Sequence, residues 1–279
     1  MNGFILVNKQ KDVSSNFIVQ EIKKKIKAKK VGHMGTLDPL ASGLLVLAIN
    51  RATKFSSYFL ESEKSYDVEV ALGISTDTDD STGNIISESN DCPDEELIMK
   101  ELYRFKGESF QVPPFFSALK HKGKPLYYYA RKGEFISKPA RKIKVINIED
   151  FKYKNKICSF RIQCSKGTYI RSIARDLGER LGCGAHMKSL IRISQGKFCI
   201  SKSKEISHLS KEDIISIERA FEDLESITIT SEHEKKFING VTIPELKHKD
   251  NIYRVFSKDN TFIGIGEIKD SFLNHKQLV

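Results

Sequence analysis

Residues 32–43 read Gly-His-Met-Gly-Thr-Leu-Asp-Pro-Leu-Ala-Ser-Gly, and residues 44–49 continue as Leu-Leu-Val-Leu-Ala-Ile. The apolar run predicts a short strand that is buried on both faces. Pro39 disfavours helical dihedral angles at Asp38, while the glycines permit turns and close approach of the backbone to a ligand. We therefore expect Asp38 on a loop at the mouth of a core strand, where functional residues often lie, although Asp-Pro and glycine are also ordinary turn residues.

The length and hydropathy of the chain indicate a large domain with no membrane anchor. At 279 residues the chain approaches the size at which one core stops growing, so we expect one large domain and a small appendage. No stretch approaches about 18 consecutive apolar residues, so no membrane-spanning helix is predicted. The apolar run within residues 1–9 is too short for a signal sequence and follows no basic region, which predicts a cytoplasmic protein.

The five cysteines are an odd number and include no Cys-x-x-Cys pair, which argues against a disulfide framework and a structural zinc site. Reduced thiols suit the cytosol. Cys183 and His186 are spaced like two metal ligands on a turn, but two ligands do not make a site. A buried thiol beside a surface histidine is the simpler interpretation, and no metal is expected.

The net charge of +10 is unevenly distributed. Basic residues cluster at 23–30, 120–144 and 166–204, whereas 76–101 and 205–234 are acidic. Aromatic residues are interleaved with the basic ones, namely Phe115, Phe116, Tyr127, Tyr128, Tyr129 and Tyr169. Because cations hold phosphates and aromatic rings stack on bases, this pattern predicts a nucleic-acid partner. For the first cluster alone, a solvated lysine-rich surface is an equal alternative.

Residue spacing predicts a mixture of helices and strands without regular alternation, which favours the α+β class. Apolar periodicity predicts helices at 14–31, 98–107, 168–182 and 210–224, and alternation predicts strands at 66–72, 157–164, 253–256 and 262–268. Thr168 is expected to cap the third helix, and a capping box of Ser210 and Asp213 the fourth. Arg171 and Arg175 fall off the apolar face of the third helix. From about Ile227 the pattern changes to short β segments, which predicts a small β-rich appendage.

Several sequence motifs of the chain are similar to those of a known protein family. From residue 2 to about residue 225 the chain resembles the TruB family of bacterial tRNA pseudouridine-55 synthases. The resemblance rests on motifs at 32–43, 52–55 (Ala-Thr-Lys-Phe), 64–66 (Lys-Ser-Tyr), 111–120 (Gln-Val-Pro-Pro-Phe-Phe-Ser-Ala-Leu-Lys), 123–127 (Gly-Lys-Pro-Leu-Tyr), 166–171 (Lys-Gly-Thr-Tyr-Ile-Arg) and 182–186 (Gly-Cys-Gly-Ala-His). Met34 and Ser42 stand where many members carry Thr, and neither change removes a proposed chemical group.

The resemblance implies a fold, a reaction and a partner. It implies a catalytic domain at 1–226, built on a mixed and mainly antiparallel sheet, and a short PUA-like RNA-binding domain at 227–279. The implied enzyme isomerises uridine 55 in the T-loop of tRNA to pseudouridine by flipping the base out and rearranging its glycosidic bond. No cofactor and no metal are implied. The implied enzyme is a cytoplasmic monomer that binds the T-loop and T-stem of tRNA.

The resemblance also implies the site residues. Asp38 would be the catalytic aspartate, Arg171 its basic partner and Tyr66 the aromatic ring packed against the target base. His33 would contact the RNA beside the flipped base, and the other implied substrate-binding residues are Tyr169, Leu190 and Lys64. A carboxylate beside an arginine stays ionised, which suits a nucleophile or base rather than an acid.

The residues themselves are compatible with this chemistry but leave alternatives. Flipping a base costs a few kcal/mol, and one aromatic stack returns about 1 to 3 kcal/mol, so Tyr66 could repay much of the cost. Without its motif, Tyr66 would be an ordinary core-facing residue. A non-catalytic RNA-binding protein is the second hypothesis, and an aspartyl-phosphate phosphotransferase built on Thr36-Leu37-Asp38 is the third, weakened by the lack of an aspartate cluster for magnesium.

Overall fold

A computed structural model describes residues 1–244 and 247–279. The helices are α1 (Ser15–Lys25), α2 (Ser56–Leu60), α3 (Glu95–Tyr103), α4 (Leu126–Ala130), α5 (Ile170–Leu181), α6 (Ile217–Ala220) and α7 (Ser231–Ile238). The strands are β1 (Gly3–Lys9), β2 (Val31–His33), β3 (Ser42–Ile49), β4 (Lys64–Leu72), β5 (Ile74–Thr76), β6 (Ile85–Glu88), β7 (Gly107–Gln111), β8 (Lys120–His121), β9 (Lys124–Pro125), β10 (Arg141–Lys154), β11 (Ile157–Cys164), β12 (Ala185–Gln195), β13 (Phe198–Cys199), β14 (Ile215–Ser216), β15 (Ser226–Thr228), β16 (Ile243–Pro244), β17 (Asn251–Phe256), β18 (Phe262–Lys269) and β19 (Phe272–Leu278). Single turns of 3-10 helix lie at Ile200–Lys202, Ile206–His208 and Lys211–Asp213, and a longer one at Asn50–Phe55.

The larger, N-terminal part of the chain is built on one ten-stranded sheet of order β14-β1-β3-β12-β4-β11-β10-β7, with β13 paired to β12 and β2 to β3. Only the contact between β3 and β12 is parallel. The mixed, mainly antiparallel α+β fold is therefore confirmed. Strand β3 carries the apolar run singled out in the sequence, and Leu44–Ile49 are completely buried. The predicted buried strand is confirmed, and the loop before it opens beside β12.

Helices α1, α3 and α5 cover one face of this sheet and form its larger core. Ile18 and Ile22 of α1 and Ile173 and Leu177 of α5 belong to this core, as their spacing predicted. The Oγ of Ser14 caps α1 by accepting from the amide of Phe17. The packing of α5 on the sheet fixes the position of this helix. Its first turn reaches the edge where the Asp38 loop emerges.

The C-terminal segment forms a second sheet of order β15-β17-β18-β19-β16, with α7 packed on it. The predicted β-rich appendage is confirmed, although α7 was not predicted. This sheet docks on the larger, N-terminal part because Ile265 joins an apolar cluster that contains Phe4 and Phe221. At the same boundary the guanidinium of Arg254 donates to the carbonyl of Leu224 at 3.0 Å.

Two local predictions are wrong. Thr168 does not cap α5, because its hydroxyl donates to the carbonyl of Ser165. The capping box of Ser210 and Asp213 forms, but it closes only one 3-10 turn. The chain then pairs Ile215 and Ser216 with the edge of β1, so the long helix predicted at 210–224 is replaced by β14 and the short α6.

Candidate active site

The Asp38 loop, residues 34–41, is held from below by buried polar side chains. Lys9 is completely buried, and its ammonium donates to the carbonyls of Pro39, Val13 and Gln10. Burial lowers the pKa of Lys9 to about 8. The hydroxyl of Ser15 accepts from the amide of Leu37 and donates to its carbonyl. These bonds fix the backbone on both sides of Asp38, as a reactive group requires.

Arg192 of β12 fastens the same loop from the side, and sequence reasoning did not select it as a site residue. It is 1% exposed, and it donates to the carbonyls of Leu44 at 2.7 Å and Gly35 at 3.2 Å. At Gly43 the φ angle is +98°, and an added Cβ would lie 2.5 Å from the carbonyl oxygen of Arg192. The available signal was alternation along β12, which places Arg192 on the same face as Leu190.

Asp38 and Arg171 form an ion pair, with 2.8 Å between Oδ2 and Nε. The terminal nitrogens of Arg171 donate to the carbonyls of Thr78 at 3.3 Å and Phe116 at 3.0 Å. The Arg171 side chain is 6% exposed, whereas that of Asp38 is 34% exposed. The guanidinium is thus fully engaged by protein, and the carboxylate keeps an open side.

Asp80 is a second carboxylate near Arg171, and sequence reasoning described its segment only as acidic. Its Oδ2 lies 3.7 Å from Nε of Arg171, and its Oδ1 accepts from the hydroxyls of Thr78 and Thr82. Next to it, burial raises the pKa of Asp79 to about 6, against the opposing effect of Arg175. The turn between β5 and β6 therefore supplies the anionic support for the first turn of α5.

A cavity of about 270 Å³ opens in front of Asp38. Its walls come from the Asp38 loop, β4, the segment after β7, the start of α5 and β12. Six residues predicted for the site line it, namely Asp38, Lys64, Tyr66, Tyr169, Arg171 and Leu190. Segments far apart in sequence thus meet at one cavity.

Tyr66 is both a core residue and part of the cavity wall. It is 8% exposed, and burial raises its pKa to about 12, with Arg192 acting in the opposite direction. Tyr66 is therefore neutral near pH 7. Beside it, Lys64 donates to the carbonyls of Leu60 and Ser62, and burial lowers the pKa of Lys64 to about 8. The wall beneath the cavity is aromatic, with one weakly basic ammonium at its edge.

Tyr169 stands at the entry to α5 and is held through its backbone. The amide side chain of Gln111 donates to the carbonyl of Tyr169 at 3.1 Å and accepts from its N–H at 2.8 Å. Burial raises the pKa of the Tyr169 hydroxyl, while neighbouring Ser117 lowers it. This arrangement fixes the ring at the cavity rim.

His33 is the one predicted site residue that lies outside the cavity lining. It belongs to β2, where it pairs with Leu47 of β3. Its Nδ1 is buried and has no hydrogen-bond partner within residues 1–244 and 247–279. Burial lowers the pKa of His33, so the ring is neutral near pH 7. In the sequence, His33 precedes Asp38 by only a few residues.

Cys183 and His186 have protein partners, and His186 is buried rather than on the surface as the sequence suggested. Nδ1 of His186 is 2.8 Å from the carbonyl of Ile74, and Sγ of Cys183 is 3.4 Å from the carbonyl of Gly184. Nowhere in the described part of the chain do three His, Cys, Asp or Glu side chains gather as metal ligands. Nor does any helix in the described ranges have the length and apolarity needed to cross a membrane.

The second basic cluster lies on the segment between β7 and β10, beside the cavity. Tyr128 on this segment makes cation–π contacts. The ammonium groups of Lys124 and Lys132 lie 4.3 and 4.6 Å from its ring centre. Phe115 and Phe135 make an edge contact there and remain substantially exposed. This segment presents cations and rings together next to the site.

Solved structures similar to this chain agree on its fold. A Cbf5–Nop10–Gar1 complex matches with a TM-score of 0.72 and 23% identity, over 99% of this chain and 84% of that one. An H/ACA RNP bound to a substrate RNA containing 2′-deoxyuridine matches with a TM-score of 0.72 and 21% identity over the same shares. These likenesses show the fold.

The tRNA pseudouridine synthase B of Clostridium kluyveri is 40% identical over 97% of this chain and 96% of its own length. That of Francisella tularensis subsp. novicida is 37% identical over 99% and 94%. Residues 23–170 match the TruB family pseudouridylate synthase (N terminal domain). Residues 171–227 match the tRNA pseudouridylate synthase B C-terminal domain, and residues 226–279 match Pseudouridine synthase II TruB, C-terminal. The chain therefore belongs to the TruB family of pseudouridylate synthases.

Proposed function

We propose that this protein isomerises uridine 55 in the T-loop of tRNA to pseudouridine, with Asp38 as the reacting group. The observation that carries the proposal is the ion pair of Asp38 with a fully engaged Arg171 at the mouth of a cavity floored by Tyr66. A carboxylate that is paired with an arginine and has one open side can act as nucleophile or base. The names of the relatives supply the substrate class.

The reaction conserves every atom of the nucleotide. The bond from C1′ to N1 breaks, the uracil turns, a bond from C1′ to C5 forms, and the proton lost from C5 is balanced by one gained at N1. One carboxylate near C1′ and the base is sufficient for this sequence. The buried Asp80 supports Arg171 and is not needed as an acid.

The cavity walls account for the capture of the flipped base. Stacking on Tyr66 returns about 1 to 3 kcal/mol, which offsets much of the cost of leaving the helical stack. We assign Leu190 to the apolar surface beside Tyr66, Tyr169 to the rim and Lys64 to the polar edge of the cavity. We assign His33, outside the lining, to the RNA around the flipped nucleotide.

The remaining features of the proposal concern the whole enzyme. We assign residues 1–226 to catalysis and 227–279 to binding the T-arm of tRNA. We further propose that the enzyme acts as a monomer in the cytoplasm, which size-exclusion chromatography with light scattering tests in the presence and absence of tRNA.

Asp38→Asn tests the central claim. The variant should release no tritium above background from tRNA labelled at C5 of uracil, while its affinity for tRNA stays within a few-fold of wild type. Asp67→Asn is the control, because Asp67 pairs with Arg161 away from the cavity. Turnover by Asp38→Asn near the wild-type rate would contradict the proposal. Tight binding by a wild-type protein without turnover would favour a non-catalytic RNA-binding function.

A further inference from the structure

Ser117 has a buried hydroxyl without a hydrogen-bond partner in the part of the chain that the structure describes. Ser117 is 3% exposed. Its Oγ is one of three buried side-chain polar atoms without a hydrogen-bond partner in the described ranges. The other two are His33 Nδ1 and Gln195 Oε1, and neither residue lines the cavity. Ser117 does, together with Asp38 and Tyr66.

The backbone around Ser117 is tightly held, so the position of the hydroxyl is defined. One residue before it, the carbonyl of Phe116 accepts from Arg171 at 3.0 Å. The carbonyl of Ser117 itself accepts from the amide of Tyr127 at 3.1 Å. Two side chains of α5, Ser172 and Arg175, donate to the carbonyl of Val112 earlier in the same segment.

Three other polar side chains of the cavity wall already have protein partners. Thr168 donates to the carbonyl of Ser165, Lys64 donates to two carbonyls and Arg192 to two more. The hydroxyl of Tyr169 lies close enough for Ser117 to lower the pKa of Tyr169, but the pair falls short of full hydrogen-bonding geometry. Ser117 therefore has unused hydrogen-bonding capacity at the wall of the cavity.

A buried hydroxyl without a partner costs free energy, and that cost disappears when a ligand supplies the partner. A uracil that leaves its stack brings two carbonyl oxygens and an N–H whose partners have been lost, and a serine hydroxyl can donate to the former or accept from the latter. We propose that Ser117 Oγ hydrogen-bonds the polar edge of the flipped uracil and holds the base in register with Asp38. This assignment rests on the proposed function.

Ser117→Ala separates substrate binding from protein stability. Removing an unsatisfied hydroxyl should leave the melting temperature of the protein unchanged or raise it, while kcat/KM for tRNA falls about tenfold or more. Ser172→Ala is the matched control, because Ser172 is equally buried but already donates to the carbonyl of Val112. That change should lower the melting temperature.

A second arm identifies the part of the nucleotide that Ser117 contacts. In an Asp38→Asn background, Ser117→Ala should weaken tRNA affinity by the same factor whether the target is uridine or 2′-deoxyuridine. A loss that disappears with 2′-deoxyuridine would move the contact to the ribose and overturn the assignment. So would a kcat/KM within twofold of wild type, or a melting temperature that falls as in Ser172→Ala. Absence of turnover in the wild type would instead contradict the proposed function, and this assignment with it.

Discussion

At the scale of single residues, Arg171 organises the site through contacts that its own position in the sequence only partly predicts. Its partnership with Asp38 came from a motif, whereas its contacts with Asp80 and the carbonyl of Phe116 depend on segments brought together by the sheet. Its burial was not predicted either, because helical periodicity placed it off the apolar face. Burial of the charge is possible because several protein oxygens surround it.

Asp80→Asn should weaken catalysis without unfolding the protein. The amide oxygen can still accept from Thr78 and Thr82, but the negative charge 3.7 Å from Arg171 is lost, so the guanidinium is itself positioned less firmly beside Asp38. We expect kcat/KM to fall about 10- to 100-fold in steady-state assays. Asp77→Asn, on the same turn without a contact to Arg171, is the control. Unchanged kcat/KM in Asp80→Asn would remove Asp80 from the site.

The lowered pKa of Lys64 predicts a pH dependence of stability. In the folded protein Lys64 loses its proton near pH 8, whereas in the unfolded chain it keeps the proton until about pH 10.5. The unfolded state therefore binds more protons between these values, and the free energy of unfolding gains a contribution that rises with pH, up to about 3 kcal/mol.

Urea unfolding of Lys64→Met between pH 7.5 and about pH 10 measures this contribution. The rise should be smaller in Lys64→Met than in the wild type, and unchanged in the exposed control Lys24→Met. Equal slopes in the wild type and Lys64→Met would show that Lys64 keeps its proton in the folded state.

At the scale of elements, the site depends on how closely α5 packs against β12. Gly178 of α5 leaves no room for a side chain, since an added Cβ would lie 2.2 Å from the backbone nitrogen of Ala185. Gly178→Ala should therefore push the helix from the strand and destabilise the protein by about 1 to 3 kcal/mol. Gly32→Ala is the control, because its nearest neighbour would be Thr53 at 3.9 Å. Equal melting temperatures for both variants would contradict this packing.

Elements with one buried face could be predicted from the sequence, and elements decided by distant partners could not. The spacing of Ile18 and Ile22 and the alternation along β4 report burial directly, so β4 lies where expected and α1 begins where expected. The predicted end of α1 near Val31 is wrong, because the helix ends at Lys25 and Val31 begins β2. Residues 210–224 have helical spacing too, but pairing of Ile215 with Phe4 at the edge of β1 satisfies the backbone better locally. Arg192 was missed for the same reason, since its partners lie on the Asp38 loop.

At the scale of the whole molecule, a group of lysines extends the cationic surface away from the cavity. Lys29, Lys30 and Lys54 are exposed, and none of them has an ion pair within the described ranges. Asn50 holds these lysines close together. Its side-chain oxygen accepts from the amides of Lys29 and Lys30, and the 3-10 helix that carries Lys54 begins at Asn50. Strand β2 and the Asp38 loop connect this surface to the cavity.

Replacing Lys30 and Lys54 together by Gln should weaken tRNA binding in a salt-dependent way. If each contacts a phosphate, the slope of log affinity against log salt should fall by about two units. Lys204→Gln with Lys236→Gln removes the same charge from cations that are already paired with Asp213 and Glu232. Filter-binding titrations from low to moderate salt compare the two pairs, and equal slopes would place the RNA elsewhere.

The apolar cluster that joins Phe4 of β1 to Ile265 of β18 has a consequence for biosynthesis. A nascent chain exposes the aromatic side of its first strand long before the segment that covers it has left the ribosome. Phe55, Phe59 and Phe221 belong to the same cluster. An incompletely synthesised chain therefore exposes an aggregation-prone aromatic surface. Folding of this cluster is therefore expected to finish only after translation. Until then, a chaperone bound to the aromatic face would protect the chain from aggregation.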